Sequence, residues 1–184
     1  ISASASALPP MSCTTWQVLP TGSLSPVASM TSPATRTRRP RVSSGWLAHA
    51  AAYAAMVTRR LDLGPQSLVV ELASNDGYLL KNFVAAGIPC LGIEPTASTA
   101  AAAERLGIPV LREFFGTTLG RRLANQGRQA DLIVGNNVLA HVPDINDFVA
   151  GMQALLKPGG TITLEFPHLA QLIAHTQFDT VYHE

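Results

Sequence analysis

The stretch VVELASNDG, residues 69–77, decides the fold, because it places a short apolar run directly before a turn of small and polar residues. Such a run is typical of a buried parallel strand. The stretches GIEP at 92–95 and DLIVGNN at 131–137 repeat the arrangement, and KPGG at 157–160 precedes another apolar run. The carboxyl ends of parallel strands share one edge of a sheet, and open α/β folds bind their ligands at that edge.

Helix and strand patterns alternate from Ser44 onward. Strict alternation with short connections requires right-handed crossovers and a parallel sheet covered on both faces. We therefore predict a doubly wound α/β fold with a mostly parallel, Rossmann-like sheet. The predicted strands are 67–72, 90–94, 110–114, 131–135 and 161–166, and the predicted helices are 44–61, 78–86, 97–106, 117–125, 145–156 and 169–175.

Composition narrows the class of function. The 184 residues carry a net charge of +1, which gives no electrostatic basis for binding nucleic acid or an acidic membrane surface. The two cysteines, Cys13 and Cys90, form neither a CxxC pair nor a zinc site, so we expect a reducing, cytoplasmic environment. No apolar stretch approaches the ~20 residues that span a bilayer. The oligomeric state is not indicated.

The two ends of the sequence differ from its middle. Residues 1–61 lack Asp and Glu, and residues 1–42 are rich in Ser, Ala, Thr, Pro and Arg without helical or strand periodicity. This composition predicts a disordered tail. An alternative is that residues 1–42 are not native sequence but a shifted reading frame or fusion remnant. We divide the chain into this tail and a domain at 43–184, which we expect to be incomplete at its C-terminal end because no strand follows 161–166.

The first loop favours a ligand that lacks a pyrophosphate group. Its small residues allow a ligand to approach the backbone closely, and the following helix start offers free amide donors. The loop has no GxGxxG motif, and the carboxylate of Glu71 repels phosphate while suiting a cationic or amino-bearing ligand. S-adenosylmethionine has these properties. The alternative is an ordinary turn formed by Asn75, Asp76 and Gly77.

Glu94 ends the second predicted strand. An acidic side chain at this place can accept hydrogen bonds from both hydroxyls of an adenosine ribose. Together with the first loop it favours an adenosyl ligand, which still permits a nicotinamide cofactor. The alternative is a solvated carboxylate at a strand end.

Asn136, Asn137 and His141 follow the fourth strand and share the edge of the first loop. An amide there can contact a cofactor, and an imidazole can accept a proton near neutral pH. His141 could instead cap the neighbouring helix. The KPGG segment is interpreted as a turn in which Gly160 takes a positive φ.

Seven motifs taken together resemble one enzyme family. They are ELASNDGYLL (71–80), LGIEP (91–95), EFFG (113–116), GNNVLAHVPD (135–144), LKPGG (156–160), EFPH (165–168) and QFDTVYHE (177–184). From about Ser43 to Glu184 the sequence is similar to the class I S-adenosylmethionine-dependent C-methyltransferases that methylate C3 of nucleotide-linked 4-keto-deoxysugars.

The resemblance implies a cofactor site and a sugar site. It implies that Glu94 binds the ribose, that residues 114–116 lie near the adenine, and that the first loop lies beside the methionine part. The cofactor-binding candidates are Glu71, Ala73, Ser74, Asn75, Gly77, Tyr78, Glu94, Pro95, Phe114, Phe115, Gly116, Asn136 and Asn137. His141, Tyr182 and Glu184 match positions that face the sugar, and they are the catalytic candidates.

The sequence also departs from that family at both ends. Members carry an N-terminal zinc module with several cysteines, whereas only Cys13 precedes the domain here, so no metal site is carried over. Members continue beyond Tyr-His-Glu with a histidine proposed as the base and a further domain, whereas this sequence stops at Glu184. We therefore expect it to retain the cofactor half of the machinery, with little or no turnover.

Two other functions compete with this one. The first is an NAD-dependent sugar-nucleotide oxidoreductase or dehydratase on a similar sheet, against which the absence of GxGxxG argues. The second is a non-catalytic fragment. The implied methylation proceeds through an enolate formed beside the 4-keto group, and no step of it needs a metal.

Overall fold

A computed structural model describes residues 44–166 and 169–174. Residues 44–166 form one unit, and the helix α6 (Leu169–Ala174) belongs to a second unit. The predicted tail at 1–42 and the catalytic candidates Tyr182 and Glu184 lie outside the described residues. Within the described ranges, no helix combines the length and the apolar character needed to cross a membrane.

Helices and strands alternate through the first unit, as predicted. A short 3-10 helix, Leu139–His141, follows the fourth strand. The strands are β1 (Val69–Leu72), β2 (Cys90–Ile93), β3 (Val110–Leu111), β4 (Ala130–Asn136) and β5 (Leu156–Glu165). The helices are α1 (Ser44–Arg60), α2 (Leu80–Ala85), α3 (Ala97–Glu104), α4 (Thr117–Asn125) and α5 (Ile145–Leu155).

The five strands form one parallel sheet in the order β3-β2-β1-β4-β5. The first strand along the chain, β1, is central; β2 and β3 lie in turn on one side of it, and β4 and β5 lie on the other side. This order confirms the predicted doubly wound topology. The reversal between β1 and β4 is a switch point, outside which open α/β sheets form their ligand crevice.

Alternate residues of β1 point to opposite faces of the sheet, and each face carries its own core. Val69 packs with the face that α1, α2 and α3 cover, whereas Val70 and Leu72 pack with the face that α4 and α5 cover. The first core includes Ala50, Ala54, Val57, Leu80, Phe83, Ala103, Leu132 and Val134. The second includes Leu91, Ile93, Leu119, Leu123, Ile133, Phe148, Met152 and Leu155.

Three predicted strands match the observed ones to within two residues at each end, whereas the third and the fifth differ by more. The third was expected to run to Phe114 but ends at Leu111, at the edge of the sheet. The two residues that follow it form surface ion pairs instead of continuing the strand: Arg112 pairs with Glu104, and Glu113 pairs with Arg122. The fifth begins at Leu156 and contains an irregularity: Ala130 pairs with Leu156, whereas Leu132 pairs with Thr161.

The KPGG segment forms this irregularity rather than a turn outside the strand. The prediction for its glycines was wrong by one residue, since Gly159 and not Gly160 takes a positive φ, of 79°. Lys157 in the same segment binds Asp131, with 2.7 Å between Nζ and Oδ2. The Asp131 oxygen also accepts a hydrogen bond from the amide of Leu68 at the amino end of the sheet, so this contact is structural.

Candidate functional site

The loop after β1 has an unusual backbone. Ala73, Asn75 and Gly77 all have positive φ angles, of 56°, 52° and 78°. A non-glycine residue in this region is strained, and such residues cluster at ligand sites, where surrounding contacts hold them. Here the amide of Ser74 donates to the Ile93 carbonyl at 3.2 Å, and the amide of Gly77 donates to the Ser74 carbonyl at 3.0 Å.

Gly77 is required by space as well as by conformation. A Cβ at this position would collide with the Ile108 side chain and would lie 3.0 Å from the Cβ of Ala103. Gly92 in β2 has a similar role, because a Cβ there would collide with Ser74. The Ser74 hydroxyl is buried and has no hydrogen-bond partner among the described residues. The small residues therefore allow the loop to pack directly against β2, Ile108 and the end of α3.

Glu94 is buried at the carboxyl end of β2, where its side chain is fixed by two backbone amides. The Asn75 amide donates to Oε2 at 3.0 Å, and the Thr96 amide donates to Oε1 at 2.8 Å. The carboxylate thus ties the first loop to the second. Each carboxylate oxygen can accept a further hydrogen bond, so the group can still bind a pair of hydroxyls.

Glu71 is the most buried acidic side chain of the site, with 1% exposure. It shares the face of Val69, which α1, α2 and α3 cover. Its Oε2 has no hydrogen-bond partner among the described residues. Burial raises the pKa of Glu71 well above its usual value, and the charges of Asp76 and Glu94 raise it further.

The loop after β4 is fastened to the end of β5. Asn137 has a φ of 50°, and its amide donates to the Glu165 carbonyl at 2.8 Å. Its side-chain Nδ2 donates to Oε1 of Glu165 at 3.2 Å. Burial raises the pKa of Glu165, and the Asn137 hydrogen bond lowers it in part. These contacts fix the start of the loop that leads to His141.

His141 is exposed at the end of the 3-10 helix. The alternative that it caps the following helix is wrong, because Asp144 is the N-cap of α5. The Asp144 carboxylate accepts hydrogen bonds from the amides of Asn146 and Asp147, at 2.9 and 3.0 Å. The imidazole is therefore not needed for capping.

Helix α1 adds aromatic side chains to this edge of the sheet. The rings of Trp46 and Tyr78 lie 6.1 Å apart. Burial raises the pKa of Tyr78 to about 12, and the charge of Glu71 acts in the same direction, whereas the side chains of Trp46 and Asn136 both act to lower the pKa of Tyr78. Tyr53 makes a hydrogen bond with Thr163 of β5, and burial raises its pKa as well.

The candidates at 114–116 have different surroundings. Phe114 is 86% exposed, whereas Phe115 packs edge-on against Phe148 with 5.3 Å between the ring centroids. Gly116 lies against Asp147, which leaves no room for a side chain. Phe115 and Gly116 thus have structural contacts in the α4–α5 layer, while the Phe114 ring is free to contact a ligand. Pro95 is partly buried beside Glu94.

Tyr53 and Glu165 were not among the site residues predicted from the sequence. Glu165 has a recognisable pattern, because it is the acidic residue at the carboxyl end of a strand on the binding edge, as Glu94 is. Tyr53 has no such pattern. It repeats with the apolar residues of α1, and only the packing of that helix brings its hydroxyl to β5.

Comparison with known proteins gives a consistent family assignment. Residues 70–162 match a family described as a methyltransferase domain. A C-methyltransferase of Streptomyces niveus, NovU, is 35% identical over 129 residues, which are 70% of this chain and 31% of that protein. A ubiquinone biosynthesis O-methyltransferase of Rhodopseudomonas palustris is 25% identical over 58% of this chain and 45% of its own length. The chain thus spans less than half of each relative.

Solved structures share the fold. DesVI of Streptomyces venezuelae superposes with a TM-score of 0.50 at 21% identity, over 65% of this chain and 50% of its own. A glycopeptide N-methyltransferase, MtfA, complexed with sinefungin superposes with a TM-score of 0.50 at 18% identity, over 62% and 53% of the two chains. At these identities the likeness concerns the fold alone.

Proposed function

The chain belongs to the family of methyltransferase domains, and from this premise we propose that it binds S-adenosylmethionine and serves the C-methylation of a nucleotide-linked 4-keto-deoxysugar at C3. The observation that carries the cofactor part is Glu94. Two backbone amides hold its carboxylate at the carboxyl edge of the sheet, beside the strained first loop. A fixed acceptor of this kind suits the two hydroxyls of a ribose.

The charges at this edge fit the proposed cofactor better than a dinucleotide. Glu71, Asp76 and Glu94 are close enough for the last two to raise the pKa of the first. This acidic surrounding repels a pyrophosphate and attracts a ligand with positive groups. S-adenosylmethionine, when bound, supplies an electrophilic methyl group on a sulfonium centre.

The sugar part of the proposal has two supports. One is the resemblance of the seven motifs, and the other is the C-methyltransferase NovU among the relatives. The 4-keto group acidifies the hydrogen on C3, so a base can remove it, and the resulting enolate carbon is the nucleophile. His141 is the proposed proton acceptor within the described residues, because it is exposed beyond β4. Tyr182 and Glu184 are proposed to contact the sugar, and the protein is proposed to act in the cytoplasm.

The remaining residues of the site are proposed to orient rather than to react. Asn137 and Glu165 hold the β4 loop, which sets the position of His141 relative to the first loop. Tyr78, which follows the first loop, contacts the ring of Trp46 in α1. A fixed geometry of this kind lowers the barrier by positioning the reactants.

Calorimetric titration with S-adenosylhomocysteine and with NADH tests the cofactor part. We expect saturable binding of S-adenosylhomocysteine and none of NADH. Glu94→Gln should weaken binding roughly 10- to 100-fold, since hydrogen bonds to a charged group contribute about 1.5–3 kcal/mol. Glu104→Gln, at an exposed surface ion pair, is the matched control and should bind like the wild type.

Binding of NADH alone would favour the oxidoreductase alternative, and binding of neither ligand by a folded chain would refute the proposal. The sugar part is tested by exchange of the C3 hydrogen in D2O, followed by NMR on a nucleotide-linked 4-keto-6-deoxysugar. His141→Asn should slow that exchange if His141 accepts the proton. Exchange at an unchanged rate would contradict its proposed role.

A further inference from the structure

Glu71 combines three features that rarely occur together. It is a carboxyl group in the central strand of a parallel sheet, it is 1% exposed, and its Oε2 lacks a hydrogen-bond partner among the described residues. None of the ion pairs found in the described part of the chain includes it. An ionised carboxylate in such surroundings is strongly disfavoured unless a positive group pairs with it.

Among the described residues, the titratable groups coupled electrostatically to Glu71 supply no such positive charge. Asp76 in the first loop and Glu94 at the end of β2 are acidic and repel a second negative charge. The others are Tyr53 of α1, Tyr78 beside the first loop and Cys90 of β2. Burial raises the pKa of each of these three, so they stay neutral at neutral pH. Asp76 and Glu94 therefore favour the protonated form of Glu71, and none of the five groups supplies a positive charge that would stabilise the ionised form.

We infer that Glu71 carries a proton in the ligand-free protein and releases it when a ligand with a positive group binds beside the first loop. The inference rests on the proposed function, because the positive group is that of the proposed cofactor. On binding, the O–H bond of the Glu71 carboxyl breaks and the proton passes to the solvent. The carboxylate that remains pairs with the ligand cation, so Glu71 selects ligands by their charge.

Three probes separate the possible sources of that positive charge. S-adenosylmethionine carries an ammonium and a sulfonium group, S-adenosylhomocysteine carries the ammonium group only, and methylthioadenosine carries neither. Proton release with the first two assigns the ammonium group as the partner of Glu71. Release with S-adenosylmethionine alone assigns the sulfonium group. Either result supports the inference, whereas equal release with all three probes overturns it.

The experiment is calorimetric titration of the whole chain in buffers of different ionisation enthalpy, from which the number of protons released is obtained. For the wild type at mildly acidic pH we expect release of up to one proton per ligand. The affinity should rise with pH by up to about tenfold per unit while Glu71 is protonated in the free protein. Binding without proton release would overturn the inference and leave the proposed function intact.

A pair of variants assigns the proton to Glu71. Glu71→Gln keeps the shape of the side chain but cannot ionise, so it should bind S-adenosylhomocysteine without releasing a proton. Glu104→Gln, at the exposed ion pair, should release the same number as the wild type. Unchanged release by Glu71→Gln would overturn the inference. If that variant does not fold, the wild-type measurement still decides whether a proton is released, and absence of all binding would refute the proposed function with it.

Discussion

Replacing Gly151 with alanine should destabilise the protein, although the same change usually stabilises a helix. Gly151 lies in the interior of α5, where that helix crosses the start of α4. A Cβ there would lie 2.6 Å from both the carbonyl carbon and oxygen of Gly116, and 3.0 Å from the Thr117 nitrogen. These are backbone atoms, so they cannot rotate away from the new methyl group.

The size of the effect follows from these distances. Carbon atoms in contact prefer a separation of about 3.5–4.0 Å, so the two helices must move apart by about 1 Å. Overpacking of this kind costs about 1–3 kcal/mol. Alanine offsets about 1 kcal/mol of that through its higher helix propensity. The net loss should be up to about 2 kcal/mol, which lowers the melting temperature by up to roughly 8 °C.

Thermal unfolding followed by circular dichroism measures this loss. The matched control is Gly45→Ala in α1, where a Cβ would meet no atom within 4 Å. That variant should be as stable as the wild type or more stable. If Gly151→Ala raised the melting temperature as much as the control does, the close crossing of α4 and α5 would be refuted.

Three further predictions concern the site and its surroundings. Ala73→Gly should raise the free energy of unfolding by about 0.5–1 kcal/mol, because Ala73 has a positive φ of 56° that glycine adopts without strain. A thermal melt measures this change, and a lower melting temperature would contradict the prediction. Burial raises the pKa of Glu71, so the folded protein binds more protons at this group than the unfolded protein does. The free energy of unfolding should therefore fall by up to about 1.4 kcal/mol per pH unit as pH rises from the usual glutamate range through the folded pKa. In Glu71→Gln this decline should be absent. In a Cys13→Ser variant, Cys90 should react with a thiol reagent only after unfolding, because burial hides the thiol and raises its pKa to about 11. Rapid reaction of the native protein at pH 8 would contradict this and show that β2 is accessible.

The alternation of strands and helices was predictable because each apolar run stands between turn residues. Parallel strands joined by short right-handed crossovers permit few sheet topologies, and the observed sheet is parallel and doubly wound as predicted. The limits of β3 and β5 were harder to predict. β3 ends early because the two side chains that follow it, Arg112 and Glu113, form surface ion pairs, and the irregular start of β5 depends on pairing with β4. Both effects arise from contacts between distant parts of the sequence.

The candidate site was predictable at the level of loops but not of bonds. The strand-end rule indicated Glu94 and the loops after β1 and β4. The hydrogen bond from the Asn75 amide to Glu94 was not predicted, since it depends on left-handed backbone at Ala73 and Asn75, which are not glycines. Tyr53 was missed because no crossover rule fixes where a helix that precedes the first strand will pack.

The double use of Glu94 constrains how this site can evolve or be redesigned. The same carboxylate that is proposed to recognise the ribose also accepts the Asn75 amide that keeps the first loop in its strained form. A substitution at Glu94 that altered the cofactor preference would also remove the hydrogen bond that holds the loop. Cofactor preference and loop conformation therefore cannot be changed independently at this position. Engineering the site for a modified cofactor should therefore begin with a change that stabilises the loop independently, such as Ala73→Gly, before Glu94 itself is replaced.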